Sequence, residues 1–192
     1  MKNREAIKTT SKQIVDYWIE HLSDHMIGVE WEDAMEYCWR CACKRRLQRC
    51  HIIPDSLGGK DEPSNMVLLC EECHSEGPNV DDPEVMWDWI SAYRVPFYDT
   101  FWLVQGMKEY EYIYGTPMEK DVCNILASVA VDELSKDIIR KYLERAMSHS
   151  SIHFGQSYPN AATMAGTLRI MVKTIAKDYG VQFPVPSDGA TY

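Results

Sequence analysis

Two Cys-x-x-Cys pairs constrain the fold of this chain more than any other feature of its sequence. Cys38 and Cys41 form the first pair, and after a further 28 residues Cys70 and Cys73 form the second. Each pair places two thiolates close enough to bind one tetrahedral ion, and two pairs complete an all-sulfur site that suits Zn²⁺. We therefore predict that these four cysteines bind a structural zinc ion. The ion would hold together the ends of a segment that is too short and too polar to fold by burial alone.

Other interpretations of the cysteines are open at this point. Cys43 is an alternative ligand to either member of the first pair, and His74 is an alternative to one cysteine of the second. The pairs are also compatible with free thiols or with a redox function. The equal spacing within the two pairs favours zinc. Cys123 falls on an apolar helical stripe and is predicted to be a core residue.

The charge of the chain is distributed unevenly. The formal net charge is −9, which by itself argues against a nucleic-acid partner. Residues 38–60, however, hold six basic side chains against one acid, so this segment carries +5 and the remainder −14. The segment is either a solvated basic loop or a local phosphate-binding surface. In the second case the predicted nucleic-acid contacts are Arg45, Arg46, Arg49 and Lys60.

Two features of the sequence bear on the compartment. The basic N-terminal residues have no apolar run behind them, so we expect no cleaved signal peptide and a cytoplasmic location. No apolar stretch approaches the roughly 18–20 residues that a membrane-spanning helix needs, so we expect no membrane partner.

Apolar residues at helical spacing predict that most of the chain is helical. The predicted helices cover residues 4–22, 31–37, 85–95, 100–114, 117–129, 134–143 and 164–175, with Gly180 as a stop signal for the last. A capping box with Thr116 and Glu119 is predicted to begin the fifth of these. Two short apolar runs, Cys50–Ile53 and Met66–Leu69, are typical of strands.

The segment between the cysteine pairs resembles the HNH (ββα-metal) endonuclease family, in the subgroup that embeds the motif in a zinc ribbon. The matching pieces are the sequence HIIP from His51, the Gly58-Gly59 loop, Asn65 before an apolar run, and LLCxxCH ending at His74. The resemblance implies that His51 is the general base. It also implies that Asn65 holds the loop and helps to fix that histidine, and that His74 is a ligand of the catalytic divalent ion.

The chain departs from the family pattern at two positions. Cys50 stands where the family usually has Asp or His as the other ligand of the catalytic ion, and Pro78 stands where many members carry His or Lys. Thiolate is a soft ligand that matches Mg²⁺ poorly. The catalytic ion is therefore either Mg²⁺ held by other groups or another divalent transition metal. Asp55 and Asp61 are nearby oxygen donors that the sequence does not place.

These observations predict an α+β fold, mostly α, in which a ββα-metal HNH motif with a four-cysteine zinc site is embedded in a helical domain. The predicted division is 1–37 for N-terminal helices, 38–80 for the nuclease module and 81–192 for a C-terminal helical region. The predicted function is hydrolysis of DNA phosphodiester bonds by a metal-dependent endonuclease, with DNA favoured over RNA and a homodimer left open. The alternatives are a zinc-ribbon module that binds nucleic acid without cleaving it and a helical interaction protein.

Overall fold

The computed structural model describes residues 6–23, 26–95, 97–156 and 158–183. Helices predominate, and the described residues form one sheet, of two antiparallel strands, which confirms the α+β, mostly α fold. None of the helices in these ranges has the length and apolar character needed to cross a membrane. In chain order the elements are α1 Ser11–His21, β1 Leu47–His51, β2 Met66–Cys70, α2 Glu71–Glu76, α3 Pro83–Tyr93, α4 Phe101–Tyr114, α5 Met118–Ser128, α6 Lys136–Met147 and α7 Ala161–Asp178.

The chain divides into two compact units, Met1–Phe101 and Trp102–Tyr192. The first unit contains both cysteine pairs and the sheet, and the second is helical. The three-part division at residues 37 and 80 stays a prediction.

The sheet of the first unit is a hairpin in which Leu47 lies opposite Cys70 and His51 opposite Met66. Every residue of β2 is buried. Helix α1 packs against β2, and the indole of Trp18 donates a hydrogen bond of 2.7 Å to the carbonyl oxygen of Met66. Helix α2 follows β2 directly and packs against both strands. Both helices therefore contribute to covering β2, which suits a strand with no polar side.

Helix α1 begins later than predicted, at Ser11 rather than residue 4. Thr10 forms a capping box with Gln13, in which each side chain bonds to the other residue's backbone N–H. This cap satisfies free N–H groups at the start of the helix, so the extended backbone changes to helix at Ser11. Residues 6–10 lie outside the helix, and residues 4 and 5 lie outside the described residues.

The first strand also differs from its prediction. The apolar run Cys50–Ile53 predicts a strand, but β1 covers Leu47–His51. The strand ends early because the N–H group of Ile53 bonds to the side chain of Asn65, at 2.9 Å, instead of to a partner strand. The second predicted strand, Met66–Leu69, is correct and extends to Cys70.

The second unit is built around α7, which contacts α5 and α6. Its buried face includes Ala165, Leu168, Val172 and Ile175 at helical spacing. Gly180 follows this helix with a φ of +67°, as its predicted role as a stop requires.

Two predictions for α5 are wrong. The helix begins at Met118 with Pro117 at the N-cap and no side-chain cap, so the capping box of Thr116 does not form. The extended backbone of Pro117 delays the helix by one residue, which moves Thr116 out of the capping position. Cys123 is exposed rather than buried, because the face of α5 that packs inward carries Asp121, Ile125 and Leu126.

Candidate active site and metal centre

Four sulfur atoms cluster in the buried interior of the first unit. The Sγ atoms of Cys38, Cys41, Cys70 and Cys73 all lie within 4.8 Å of one another. The Cys41 and Cys70 sulfurs are 3.9 Å apart. A tetrahedral zinc ion with Zn–S bonds of about 2.3 Å separates its sulfurs by roughly 3.8 Å. The cluster therefore fits one zinc ion. Cys43 is not part of it, since its thiol bonds to the carbonyl oxygen of Cys41 at 3.4 Å.

Local structure brings each pair to the cluster. The first pair lies in a tight turn, in which the N–H of Cys38 bonds to the Cys43 carbonyl and Ala42 has a φ of +51°. In the second pair, Cys70 ends β2 and Cys73 lies in α2. Hydrogen bonds with the thiols of Cys38 and Cys41 lower the pKa of Cys70, whereas those with Cys38 raise the pKa of Cys41 and of Cys73.

Two arginines bridge the second pair to glutamates of α2. The guanidinium of Arg40 lies 3.5 Å from the Cys73 sulfur and 2.6 Å from Glu76. That of Arg45 lies 3.9 Å from the Cys70 sulfur and 2.5 Å from Glu72. Zinc with four thiolates carries a net charge of −2, so two adjacent cations offset the charge that burial makes costly.

Arg40 is the more deeply buried of the two, with 4% of its surface exposed. Its guanidinium carbon lies over three aromatic rings, at 4.1 Å from Trp89, 4.5 Å from Tyr93 and 4.9 Å from Phe101. Burial by itself would lower the pKa of Arg40, but the charges of Cys73 and Glu76 raise it. This role of Arg40 could not be predicted from the sequence, because the aromatic spacing of α3 is equally typical of ordinary core packing.

Asn65 ties together the loop that follows β1. It is 8% exposed, and its amide oxygen accepts a bond of 2.9 Å from the N–H of Ile53. Its amide nitrogen donates to the carbonyl oxygens of Ile53 and Lys60, each at 3.0 Å. Gly59 must be glycine here, because a Cβ atom at this position would lie 1.7 Å from the Ile53 oxygen. The catalytic role assigned to Asn65 stays a prediction.

The two histidines of the motif lie on two elements that contact each other, β1 and α2. His51 ends β1 and is half-buried, and His74 lies in α2 outside the cysteine cluster. Burial lowers the pKa of His74, and the charge of His51 lowers it further. Nδ1 of His74 lies 2.6 Å from Oε1 of Gln48, a residue that no motif of the sequence pointed to.

The surroundings of Asp55 and Asp61, the two oxygen donors near the motif, do not indicate that either is a ligand of the catalytic ion. Both carboxylate oxygens of Asp61 accept backbone N–H groups, from Lys8 at 2.6 Å and from Thr9 at 3.1 Å. Asp55 is exposed in a 3-10 turn. Cys50 is buried, and burial followed by the charge of Cys38 raises its pKa to about 12, so it is a neutral thiol. Neutral thiols are poor ligands for a hard ion.

The predicted phosphate contacts differ in their surroundings. Arg45 is paired with Glu72, as described above. Arg49 donates to the carbonyl oxygens of Ile7 and Thr9 at 3.1 and 2.9 Å, and so helps to hold the segment before α1. Arg46 and Lys60 are exposed. A role for any of the four in binding nucleic acid stays a prediction.

Comparison with known families gives one match. Residues 36–86 match the model of a family described as HNH endonuclease. No significant match is found among curated proteins or among solved structures. The matched range contains both cysteine pairs together with His51, Asn65 and His74. The resemblance seen in the sequence is therefore confirmed by the HNH endonuclease family match over residues 36–86.

Proposed function

We propose that this protein is a metal-dependent endonuclease that hydrolyses phosphodiester bonds of DNA, with His51 as the general base and one catalytic divalent ion bound at His74. The observation that carries the proposal is the family match over 36–86, a range that contains His51, Asn65 and His74 of the motif. An HNH domain implies a nucleic-acid substrate. The exposed side chains of Arg46 and Lys60 are available to contact its phosphates.

The chain's own groups divide the chemistry. The imidazole of His51 takes the proton of the attacking water, as a histidine general base does in hydrolysis. Asn65 keeps the adjacent loop in place through its three hydrogen bonds. His74 would hold the divalent ion, Mg²⁺ or a transition metal, which when bound stabilises charge on the phosphate and on the leaving oxygen. The four-cysteine site would hold zinc and keep α2 against the hairpin.

One observation favours a second candidate, a zinc-ribbon module that binds nucleic acid without cleaving it. Cys50 occupies the position of the family's other catalytic ligand, and its thiol is buried and neutral. An ion at His74 would thus have one side-chain ligand fewer than the family pattern provides. If the remaining ligands do not suffice, the fold and the phosphate contacts remain but the hydrolysis is lost.

A nicking assay on supercoiled plasmid distinguishes the two candidates. Zinc-loaded protein would be incubated with Mg²⁺, Mn²⁺ or Ni²⁺, alongside His51→Ala and the control His153→Ala, which changes an exposed histidine of the second unit. We expect nicking by the wild type and the control. We expect a loss of about 10²-fold or more in His51→Ala, as removal of a general base implies.

Binding must be measured in parallel, because it separates the remaining outcomes. Salt-dependent DNA binding without cleavage by any of the three proteins would overturn the nuclease and support the binding module. Cleavage by His51→Ala at the wild-type rate would overturn the assignment of the base. Absence of both binding and cleavage would contradict both candidates.

A further inference from the structure

We propose that Gln48 is a positioning residue that fixes the tautomer of His74, leaving Nε2 as the ring nitrogen that binds the catalytic ion. The inference rests on the proposed function, because that function assigns the ion to His74. The hydrogen bond between the two side chains is visible in the structure independently of any metal.

The chemistry of the contact determines where the proton lies. Oε1 of Gln48 is 2.6 Å from Nδ1 of His74, and an amide oxygen can only accept a hydrogen bond. Nδ1 must therefore donate, so it carries the proton. A neutral imidazole has a single N–H, and Nε2 is left with a free lone pair. A lone pair is what a metal ligand needs.

The two residues come from elements that contact each other, β1 and α2. Gln48 lies on β1 opposite Leu69, two residues from Cys50 on the same side of the strand. His74 follows Cys73 in α2, so zinc bound by the cysteines would anchor the helix that carries it. The sheet register and the metal centre together place the amide oxygen against the imidazole.

The departure at Cys50 makes this contact more important for the catalytic ion. In the family pattern that position supplies a second ligand, whereas here the thiol is buried. His74 must then contribute more of the binding, and its ring has to be presented in one protonation pattern and one orientation. Loss of a residue that orients a metal-binding histidine commonly lowers metal affinity by about 10–100-fold.

The first test reads the tautomer directly. Protein with ¹⁵N-labelled histidine, loaded with zinc only in the cysteine site, is studied by long-range ¹H–¹⁵N NMR, with His74→Ala used to assign the signal. We expect Nδ1 to be protonated in the wild type and in Gln48→Glu, which keeps an acceptor oxygen. We expect that preference to be lost in Gln48→Leu. The control Gln156→Leu changes an exposed glutamine of the second unit and should match the wild type.

The second test measures binding of Mn²⁺ or Ni²⁺ by calorimetry on the same zinc-loaded proteins. We expect affinity to fall by about 10–100-fold in Gln48→Leu and to be unchanged in Gln156→Leu. A wild-type His74 protonated at Nε2 would overturn the inference, and so would a Gln48→Leu variant with unchanged tautomer and affinity.

The two tests also separate this inference from the proposed nuclease. Nδ1 protonation that depends on Gln48, together with weaker metal binding in Gln48→Leu but no cleavage by the wild type, would refute the nuclease and leave the role of Gln48 intact. Normal cleavage by the wild type, together with an unchanged tautomer in Gln48→Leu, would refute the role of Gln48 and leave the proposed nuclease intact.

Discussion

Replacing Asn65 by alanine tests the link between the loop and the general base. The substitution removes the three hydrogen bonds that the amide makes to Ile53 and Lys60. A typical intramolecular hydrogen bond contributes about 1 kcal/mol, so we expect the free energy of unfolding to fall by about 3 kcal/mol. The backbone bond from the Ile52 N–H to the Asn65 oxygen remains, so the strand pairing itself is retained.

We expect the nicking rate of Asn65→Ala to fall by more than the loss of folded protein alone would cause. The loop is joined to β1 immediately after His51, so we expect release of Ile53 to loosen the end of the strand that carries the imidazole. Asn65→Asp has nearly the same shape and keeps the acceptor for the Ile53 N–H, but it loses both donors. Its second carboxylate oxygen would face the carbonyl oxygens of Ile53 and Lys60 with no proton to donate. We therefore expect this variant to be destabilised by about 3 kcal/mol or more, with nicking no faster than in Asn65→Ala.

Urea denaturation in the presence of zinc, followed by circular dichroism, measures the stability, and plasmid nicking under folding conditions measures the activity. The matched control is Asn160→Ala, which removes the side-chain cap of α7 at Thr163. It should cost about 1 kcal/mol and leave nicking unchanged. The reasoning is refuted if Asn65→Ala is as stable as the wild type. It is refuted equally if the variant is destabilised but folded and nicks DNA at the full rate.

Three further predictions concern the metal centre and the second unit. Cys70→Ser should lose zinc and tertiary structure together, because three thiolates no longer close the site, whereas the exposed Cys123→Ser should change neither. Arg40→Met keeps the side-chain volume but removes the cation, with its aromatic stacking and its bond to a thiolate. We expect the free energy of unfolding to fall by roughly 3–5 kcal/mol and zinc release to become faster. Asp121→Asn removes the counterion of Arg169, whose side chain is 11% exposed and whose guanidinium lies 3.2 Å from the carboxylate. We expect the free energy of unfolding to fall by about 3–5 kcal/mol.

These predictions are checked by metal analysis, by zinc transfer to a coloured chelator and by denaturation. A folded Cys70→Ser variant without zinc would contradict the role of the metal centre, and an unchanged rate of zinc transfer in Arg40→Met would contradict charge compensation. For the buried pair, the control is Asp137→Asn. Asp137 and Arg140 form an ion pair at 3.9 Å in which both side chains are at least 70% exposed. We therefore expect no measurable change in the free energy of unfolding. Equal effects of the two aspartate substitutions would refute the argument.

Features carried by short stretches of sequence could be predicted correctly. The Cys-x-x-Cys spacing is a property of local turns, and it correctly predicted which four sulfurs cluster. Helical periodicity is equally local, and it predicted the end of α4 at Tyr114 and the stop at Gly180. The family match rests on a contiguous segment, residues 36–86.

Features that depend on distant partners could not be predicted. The segment 38–60 has six basic residues, but Arg40 is surrounded by aromatic rings of α3 and α4, and Arg49 bonds to the backbone before α1. A net charge per segment counts these side chains without showing where they point. The exposure of Cys123 has the same origin, since the packing partners of α5 decide which of its faces is buried.

The sequence by itself determined the kind of site this protein has. The cysteine pairs and the HNH motif lie within one short segment, where chain connectivity keeps the groups close to one another. The tertiary structure decided which charged and polar groups remain available around that site. It turned Asp61 toward the backbone of Lys8 and Thr9, and it brought Gln48 to His74. The physical reason is that a hydrogen bond or ion pair forms only when folding brings its partners within about 3–4 Å, and sequence separation does not encode that distance.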